Sequence, residues 1–369
     1  MRIEVISRWR DLASCEHAWR RLQAAAGNEN PFLGWDWIEA WCSVFAASRA
    51  PHFALLSDAA GEWLAALPCE RRRRGAGGWR VELLGAGDGG DDLDLLWAEA
   101  AEPQPRLIGQ LLSAVLRGGA GALCRLGALR SDGRLAAALR ADTAPAGWTA
   151  RSAMDDVLPY VELPDSFEDF LAAKSANFRA EMRRRWRRWQ RQFGGPDTRV
   201  VESAGELEAS LQRLFRLHNL RRAGKGERGL FTDPRQCQFH RCLAAALARR
   251  GEARIYELWA GAGPAAMLYG YARAGRFYFF QSGFDPCSAA YNPGTVLLSA
   301  VVADLIRRRT HVFELLRGAE PYKLRWATGQ RQTLRVTLAR GWRGRGALWA
   351  AATWRNWRGP AGGREVNPT

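Results

Sequence analysis

A chain of 369 residues is long enough for two domains of ordinary size, and 47% hydrophobic with 25% charged residues is a globular composition. The net charge of +16 is not spread evenly: residues 1–160 carry 18 basic and 20 acidic residues, whereas residues 161–369 carry 36 and 18. The second half is therefore the half expected to meet an anionic partner.

Several classes drop out early. The longest apolar run, near 296–306, is interrupted by Asp304 and is too short to span a bilayer. No apolar core follows Arg2, so the start does not read as a signal peptide. Seven cysteines, an odd number without a Cys-x-x-Cys pair, read as reduced thiols, and a cytoplasmic protein is expected. Cys237, His240 and Cys242 lack further ligands at convincing spacing, so no metal is expected.

In chain order, Ile3 and Val5 mark a short strand, Leu12 to Ala26 a helix, and Phe32 to Phe45 a helix carrying Trp35, Trp37 and Trp41. Phe53–Leu56 and Trp63–Pro68 form a predicted hairpin, and Trp79 to Leu84 a further strand. Gly85 to Gly90 fits Gly-x-Gly-x-x-Gly, but Asp91 to Leu96 alternates as a strand does, and a dinucleotide loop would lead into a helix. Helices over 104–116 and 132–139, with a strand at 122–126 between them, complete an α/β layer.

Asp165 to Leu171 reads as a capped helix start, and Lys174 to Arg191 as a basic helix with eight Lys/Arg against Glu181. The second half then predicts a strand (198–202), two helices (204–222 and 233–250) and a strand (254–259). A hairpin (265–271 with 276–281), a helix (294–309), a strand (312–316), a short helix (321–327) and a strand (333–338) follow. The first half is a looser version of this order, which suggests a tandem pair. The expected units are 1–160, a basic connecting helix at 161–196, a second domain at 197–341, and a Trp/Arg-rich tail at 342–369.

The segment from Phe279 through Pro286 to Asn292-Pro293-Gly294-Thr295 is a strand, a loop and a helix start whose free N–H groups suit an anion. The element order resembles the GNAT acyltransferase fold. The residues resemble in particular the CelD/BcsL-type proteins linked to cellulose and exopolysaccharide biosynthesis, relatives of the Fem-type aminoacyltransferases. The likeness is carried by Asn30-Pro31-Phe32-Leu33 with Trp37 and Trp41, Gly87 to Leu96, Asn177 to Trp186, and His218 with Gly229 and Phe231. Its strongest matches are Ser282-Gly283-Phe284-Asp285-Pro286, Asn292 to Thr295, and Gly318 to Trp326.

The resemblance implies an α+β fold of tandem GNAT-like domains, each a mixed, mostly antiparallel sheet flanked by helices. It implies an acyl-CoA-dependent N-acyltransferase, with acetyl-CoA or another acyl-CoA as cosubstrate, acting on an amino-sugar or polysaccharide-related acceptor. The familiar Arg/Gln-x-x-Gly-x-Gly/Ala loop is absent, so aminoacyl-tRNA stands as the alternative donor, and an inactive scaffold as the non-enzyme alternative. Gln281, Ser282, Gly283, Asn292, Pro293, Gly294 and Thr295 are the expected donor-binding residues.

Glu314 is read as a proton acceptor or as a strand glutamate paired with an arginine, and Tyr322 as an acid for the leaving thiolate. Lys323 and Arg325 either steady a phosphate or oxyanion or form a solvated basic turn. His218 and Asp285 are expected at the acceptor, with a structural role as the alternative for His218. The basic helix either binds RNA or packs through its aromatic face, and the tail either rests on an anionic membrane or packs on a domain.

Overall fold

The computed structural model describes residues 1–74, 78–117, 123–141 and 144–341, so the Trp/Arg-rich tail lies outside the described residues. The first half runs β1 (Arg2–Ile6), α1 (Trp9–Ala13), α2 (Glu16–Ala25), α3 (Trp35–Phe45), β2 (Arg49–Ser57), β3 (Trp63–Arg74), β4 (Gly78–Leu83) and β5 (Leu96–Trp97). Then come α4 (Pro105–Leu116), β6 (Leu123–Arg130), α5 (Arg134–Arg140) and β7 (Trp148–Glu162). The helix expected over 12–26 is split at Ser14–Cys15, and only the end of the 91–96 segment becomes a strand.

The second half runs α6 (Phe167–Ala172), α7 (Ala176–Phe193), β8 (Asp197–Val201), α8 (Ala204–Ala223), α9 (Pro234–Ala248), β9 (Ala253–Ala260), β10 (Gly263–Arg273) and β11 (Arg276–Phe284). It ends with α10 (Pro293–Arg307), β12 (Val312–Glu314), α11 (Pro321–Trp326) and β13 (Gly329–Arg340). Caps set the basic helix α7: the Ser175 side chain accepts from Phe178 N–H, and Gly194 closes it at φ 76°.

Two sheets result. One has five strands in the order β1-β2-β3-β4, with β5 on β3. The other has eight, in the order β6-β13-β7-β12-β11-β10-β9-β8. Every neighbouring pair in the eight-stranded sheet is antiparallel except β11 with β12. The expected α+β architecture of mostly antiparallel sheets flanked by helices is the one observed.

The 15-residue strand β7 is absent from the sequence reading, and its course matters. It enters the large sheet between β13 and β12, so the expected boundary at 160/161 falls inside a strand. Alternation is weak there because Asp155, Asp156 and Pro159 interrupt it. Partners distant in sequence, not local pattern, make it a strand.

The two halves share one core. Phe32 meets Tyr278 with ring centroids 6.2 Å apart, and Trp37 meets Phe239 at 4.9 Å and Phe280 at 6.4 Å. Trp19, Trp35, Trp37 and Trp41 are all fully buried. Burying one such side chain removes about 150–250 Å² from water, about 4–6 kcal/mol of transfer free energy before entropy is subtracted. A polar clamp adds to this: Asp88 accepts from Trp41 Nε1, both Arg49 Nη atoms and Gln236 Nε2 at 2.7–2.9 Å, which ties the Gly85–Gly90 loop to α9.

On the other face of the large sheet, Phe178, Met182 and Trp189 of α7 are buried against α10. Trp186 Nε1 donates to Ser299 Oγ at 3.1 Å. The aromatic residues of α7 thus face inward, while Arg183, Arg184, Arg187, Arg188 and Arg191 are exposed.

Candidate active site

Among the described strands of the large sheet, the parallel pairing of β11 with β12 is short, and the site grows from it. β11 and β12 pair over Arg276–Tyr278 and Val312–Glu314. Beyond this, β11 continues to Phe284 along β10, while the chain after Glu314 bends the other way. Leu315 N–H bonds to Pro159 O at 3.0 Å, Leu316 takes a left-handed φ of 56°, and Gly318 N–H bonds to Val157 O at 3.0 Å. The strands part, and a cleft of about 850 Å³ opens between Phe279–Ser282 and Leu315–Arg317.

Of the residues expected from sequence, His218, Gln281, Ser282, Tyr322 and Lys323 line this cleft. Tyr322 is partly exposed, and the desolvating walls push its phenol up to about 12, so it carries its proton at neutral pH. Lys323 is buried, and its ammonium donates to the carbonyls of Leu316 and Arg317 and meets Glu320 at 3.1 Å. Its donors are taken up in holding the loop after β12, which corrects the oxyanion role expected of it.

His218 is likewise structural. Nδ1 bonds to Ser282 O at 3.1 Å and Nε2 receives Leu230 N–H at 3.3 Å, which fixes the Nδ1–H tautomer. Burial lowers its pKa, so the ring is a neutral strut between α8, β11 and the 230 loop.

Glu314 is also corrected. It is buried, and its two oxygens are taken by Arg276 Nη1 at 2.7 Å and by Arg331 Nη2. It lines a neighbouring cavity and not the cleft, because alternation along β12 turns it to the other side. Arg325 pairs with Glu181 of α7, and Asp285 caps the following turn by accepting Cys287 N–H at 2.9 Å. Both lie outside the cleft lining.

Gly283 serves packing: a Cβ there would come within 2.4 Å of His218 N and 2.7 Å of Leu217 C, so α8 crosses β11 only over a glycine. Asn292, Pro293, Gly294 and Thr295 do form the start of α10, with Asn292 at φ 53° and open space around Gly294. They follow β11 at its C-terminal end but do not line the cleft. Thr295 Oγ1 accepts from Arg185 Nη1 of α7 at 2.5 Å.

Several cleft residues were missed in sequence. Arg221, Arg222, Lys225 and Arg228 come from the end of α8 and its loop, and Arg317 follows β12. Arg221 donates to Ser282 Oγ at 3.2 Å. The basic run at 221–228 was the available signal. The opposite wall is the Gly85–Gly90 loop, where Gly89 at φ 97° lies against Phe280, with a built Cβ at 2.7 Å. Asp91 ends this wall, buried, with Arg317 Nε at 2.6 Å, and burial raises its carboxyl to about 6. Nothing in the local pattern marks it, because its partner lies 226 residues away.

No group of three or more His, Cys, Asp or Glu suited to a metal occurs among the described residues. His240 is packed among Phe231, Phe239, Tyr269 and Phe280. Within the described residues, no helix is long and apolar enough to cross a membrane.

Comparison with known proteins gives the same picture. Residues 176–324 match the acetyltransferase (GNAT) domain family. No curated protein matches the chain in sequence. Among solved structures, a conserved protein of unknown function from Bacteroides thetaiotaomicron is similar at 10% identity and a TM-score of 0.58, over 88% of this chain and 97% of that one. FemX is similar at 7% identity and 0.56, over 85% and 95%. A tandem GNAT protein from the clavulanic acid biosynthesis pathway is similar at 13% identity and 0.50, over 92% and 98%. Residues 176–324 therefore match a GNAT acetyltransferase domain, and the protein is an acyltransferase.

Proposed function

We propose that the protein transfers an acyl group from acyl-CoA, acetyl-CoA first, to an amine of an amino sugar or polysaccharide-related acceptor. The observation that supports this is the cation-lined cleft where β11 and β12 part, inside the GNAT-matching segment. The pantetheine arm would enter between Phe279–Ser282 and Leu315–Arg317. The phosphates would meet Arg221, Arg222 and Lys225, with the start of α10 at Pro293–Thr295 as a further anion-holding end.

In the proposed step, the acceptor nitrogen attacks the thioester carbonyl carbon, and the C–S bond breaks as the C–N bond forms. Tyr322 gives its proton to the departing thiolate. Asp91 takes the proton that the amine must shed, in the place first assigned to Glu314. Asp91 suits this because it is the one carboxylate that lines both the cleft and the adjoining cavity.

A second donor is kept open by the exposed arginine face of α7 and the similarity to FemX: aminoacyl-tRNA, as in the Fem-type relatives. Calorimetry and thiol release separate the two. Acetyl-CoA should bind, and free thiol should appear with a pool of amino sugars. Tight binding of charged tRNA with no coenzyme A binding at low salt would reverse the assignment.

A further inference from the structure

A second cavity, of about 420 Å³, lies between the two halves beside the proposed donor cleft. It shares Asp91 and Leu316 with the donor cleft, so the two spaces meet across these residues. Its lining carries six carboxylates against four guanidinium groups. Nearly all of the carboxylates are spoken for. Glu314 holds Arg276 and Arg331, Glu29 meets Arg276 at 3.2 Å, and Asp132 meets Arg130 at 2.9 Å. Asp94 accepts Arg134 N–H and Leu135 N–H at 2.7 and 3.0 Å, and Asp91 is paired with Arg317.

Asp92 is the exception. Its side chain is only 20% exposed, and the nearest guanidinium, that of Arg130, stays 3.9 Å away, beyond hydrogen-bond reach. Its backbone is held at a left-handed φ of 55°. Asn30 Nδ2 fixes that bend by donating to Asp91 O at 3.0 Å and Asp92 O at 2.8 Å, and Leu93 is pinned to Ala128 O at 2.8 Å. The bend presents to the cavity a carboxylate with no hydrogen-bond donor among the described residues, which leaves its oxygens open to a ligand. Burial raises the Asp92 carboxyl and outweighs the opposing pull of Arg130, Arg331 and Arg276, none of which donates a hydrogen bond to it.

We propose that this cavity is the acceptor site and takes a small polyhydroxylated amine, with its ammonium on Asp92 and its hydroxyls on the arginines that Glu314 orients. The inference rests on the acyl-transfer reading for its consequence, since it sets the amine beside Asp91 at the edge of the donor cleft. The binding itself is separable from that reading. An ammonium supplies the hydrogen-bonded cation that Asp92 lacks, since Arg130 stays at 3.9 Å, and the remaining guanidinium N–H groups donate to hydroxyl oxygens.

The test is calorimetry on the full chain without donor, using glucosamine, N-acetylglucosamine and glucose as probes. Glucosamine should bind at least tenfold more tightly than the two neutral sugars. Asp92→Asn, which keeps the shape and tolerates the left-handed backbone, should lower glucosamine affinity at least tenfold and leave coenzyme A affinity unchanged. Equal binding of the three sugars by the wild-type protein would overturn the proposal whether or not the variant folds. So would glucosamine binding that is indifferent to Asp92→Asn, or absent. Glucosamine binding with no coenzyme A binding would instead strike the donor assignment and leave this site standing.

Discussion

In the proposed transfer, Asp91 and Tyr322 would divide the proton work by environment. Asp91 must be ionised to accept a proton, and burial sets its carboxyl at about 6. Turnover is therefore expected to rise with pH through an acid limb near 6. Asp91→Asn should remove that limb and lower kcat by about 10²–10⁴-fold, read from a pH–rate profile of thiol release. Tyr322→Phe should slow thiolate departure with little change in donor affinity, since the proposed step gives the phenol to the leaving thiolate and the phosphates to the cleft arginines. Glu314→Gln should leave the pH profile in place, because Glu314 orients Arg276 and Arg331 and moves no proton. A shifted profile in that variant would return it to the mechanism.

His240 makes a residue-scale statement about stability. It is wholly buried with neither ring nitrogen bonded among the described residues, and burial lowers its pKa to about 3. The unfolded chain binds this proton below about 6.5 and the folded chain does not. Stability is then fully present above that pH and falls as the pH drops toward 3. The slope for one proton is about 1.4 kcal/mol per pH unit. Denaturant titrations between pH 7 and 4.5 should show His240→Phe losing about that much slope relative to the wild type.

Between elements, contact distance decides which glycines matter. Gly283→Ala would press a methyl into the backbone of α8, 2.4 Å from His218 N. A loss of about 1–3 kcal/mol is expected, as for other overpacked sites, measured as a lower denaturant midpoint. Gly294 faces open space at the start of α10, so Gly294→Glu should barely move the thermal midpoint. A carboxylate there opposes an anion at the helix start, and donor affinity should fall. Unchanged affinity would remove this turn from the donor site and leave the cleft arginines to hold the phosphates. The helix α7 was readable as amphipathic because Phe178, Met182, Trp186 and Trp189 recur at helical spacing. That Arg185 reaches Thr295 while Arg183 and Arg187 face water was not readable, since spacing gives a face and not its partner.

For the whole molecule, β7 and the shared aromatic core make the halves interdependent. A chain cut to residues 163–341 would leave β12 and β13 without their common neighbour and would expose Tyr278 and Phe280, which the first half covers. Unpaired strand edges template association, so the fragment should aggregate in gel filtration while the intact chain does not. Donor affinity should fall as salt is raised, because the cleft arginines at 221 and 222 keep access to solvent.

The sequence by itself determined most element types, the strand β7 excepted, the α+β class and the basic character of the second half. Each rests on local pattern or on composition: the Val296–Ile306 helix on its period, the 265–281 hairpin on Ala274-Gly275, the charge split on counting. It also reached His218, Gln281, Ser282, Tyr322 and Lys323, which meet in the cleft. Tertiary structure alone decided what these groups do. Glu314 lost its catalytic assignment because Arg276 and Arg331 converge on it, and Lys323 because three oxygens close around its ammonium. Asp91 and Asp92 acquired their significance from Arg317 and from an Arg130 that stays beyond hydrogen-bond reach of Asp92. A side chain's chemistry is set by what surrounds it, and whether a neighbour is 3 residues away, as Glu320 is from Lys323, or 226, as Arg317 is from Asp91, only the folded chain brings the two side chains together.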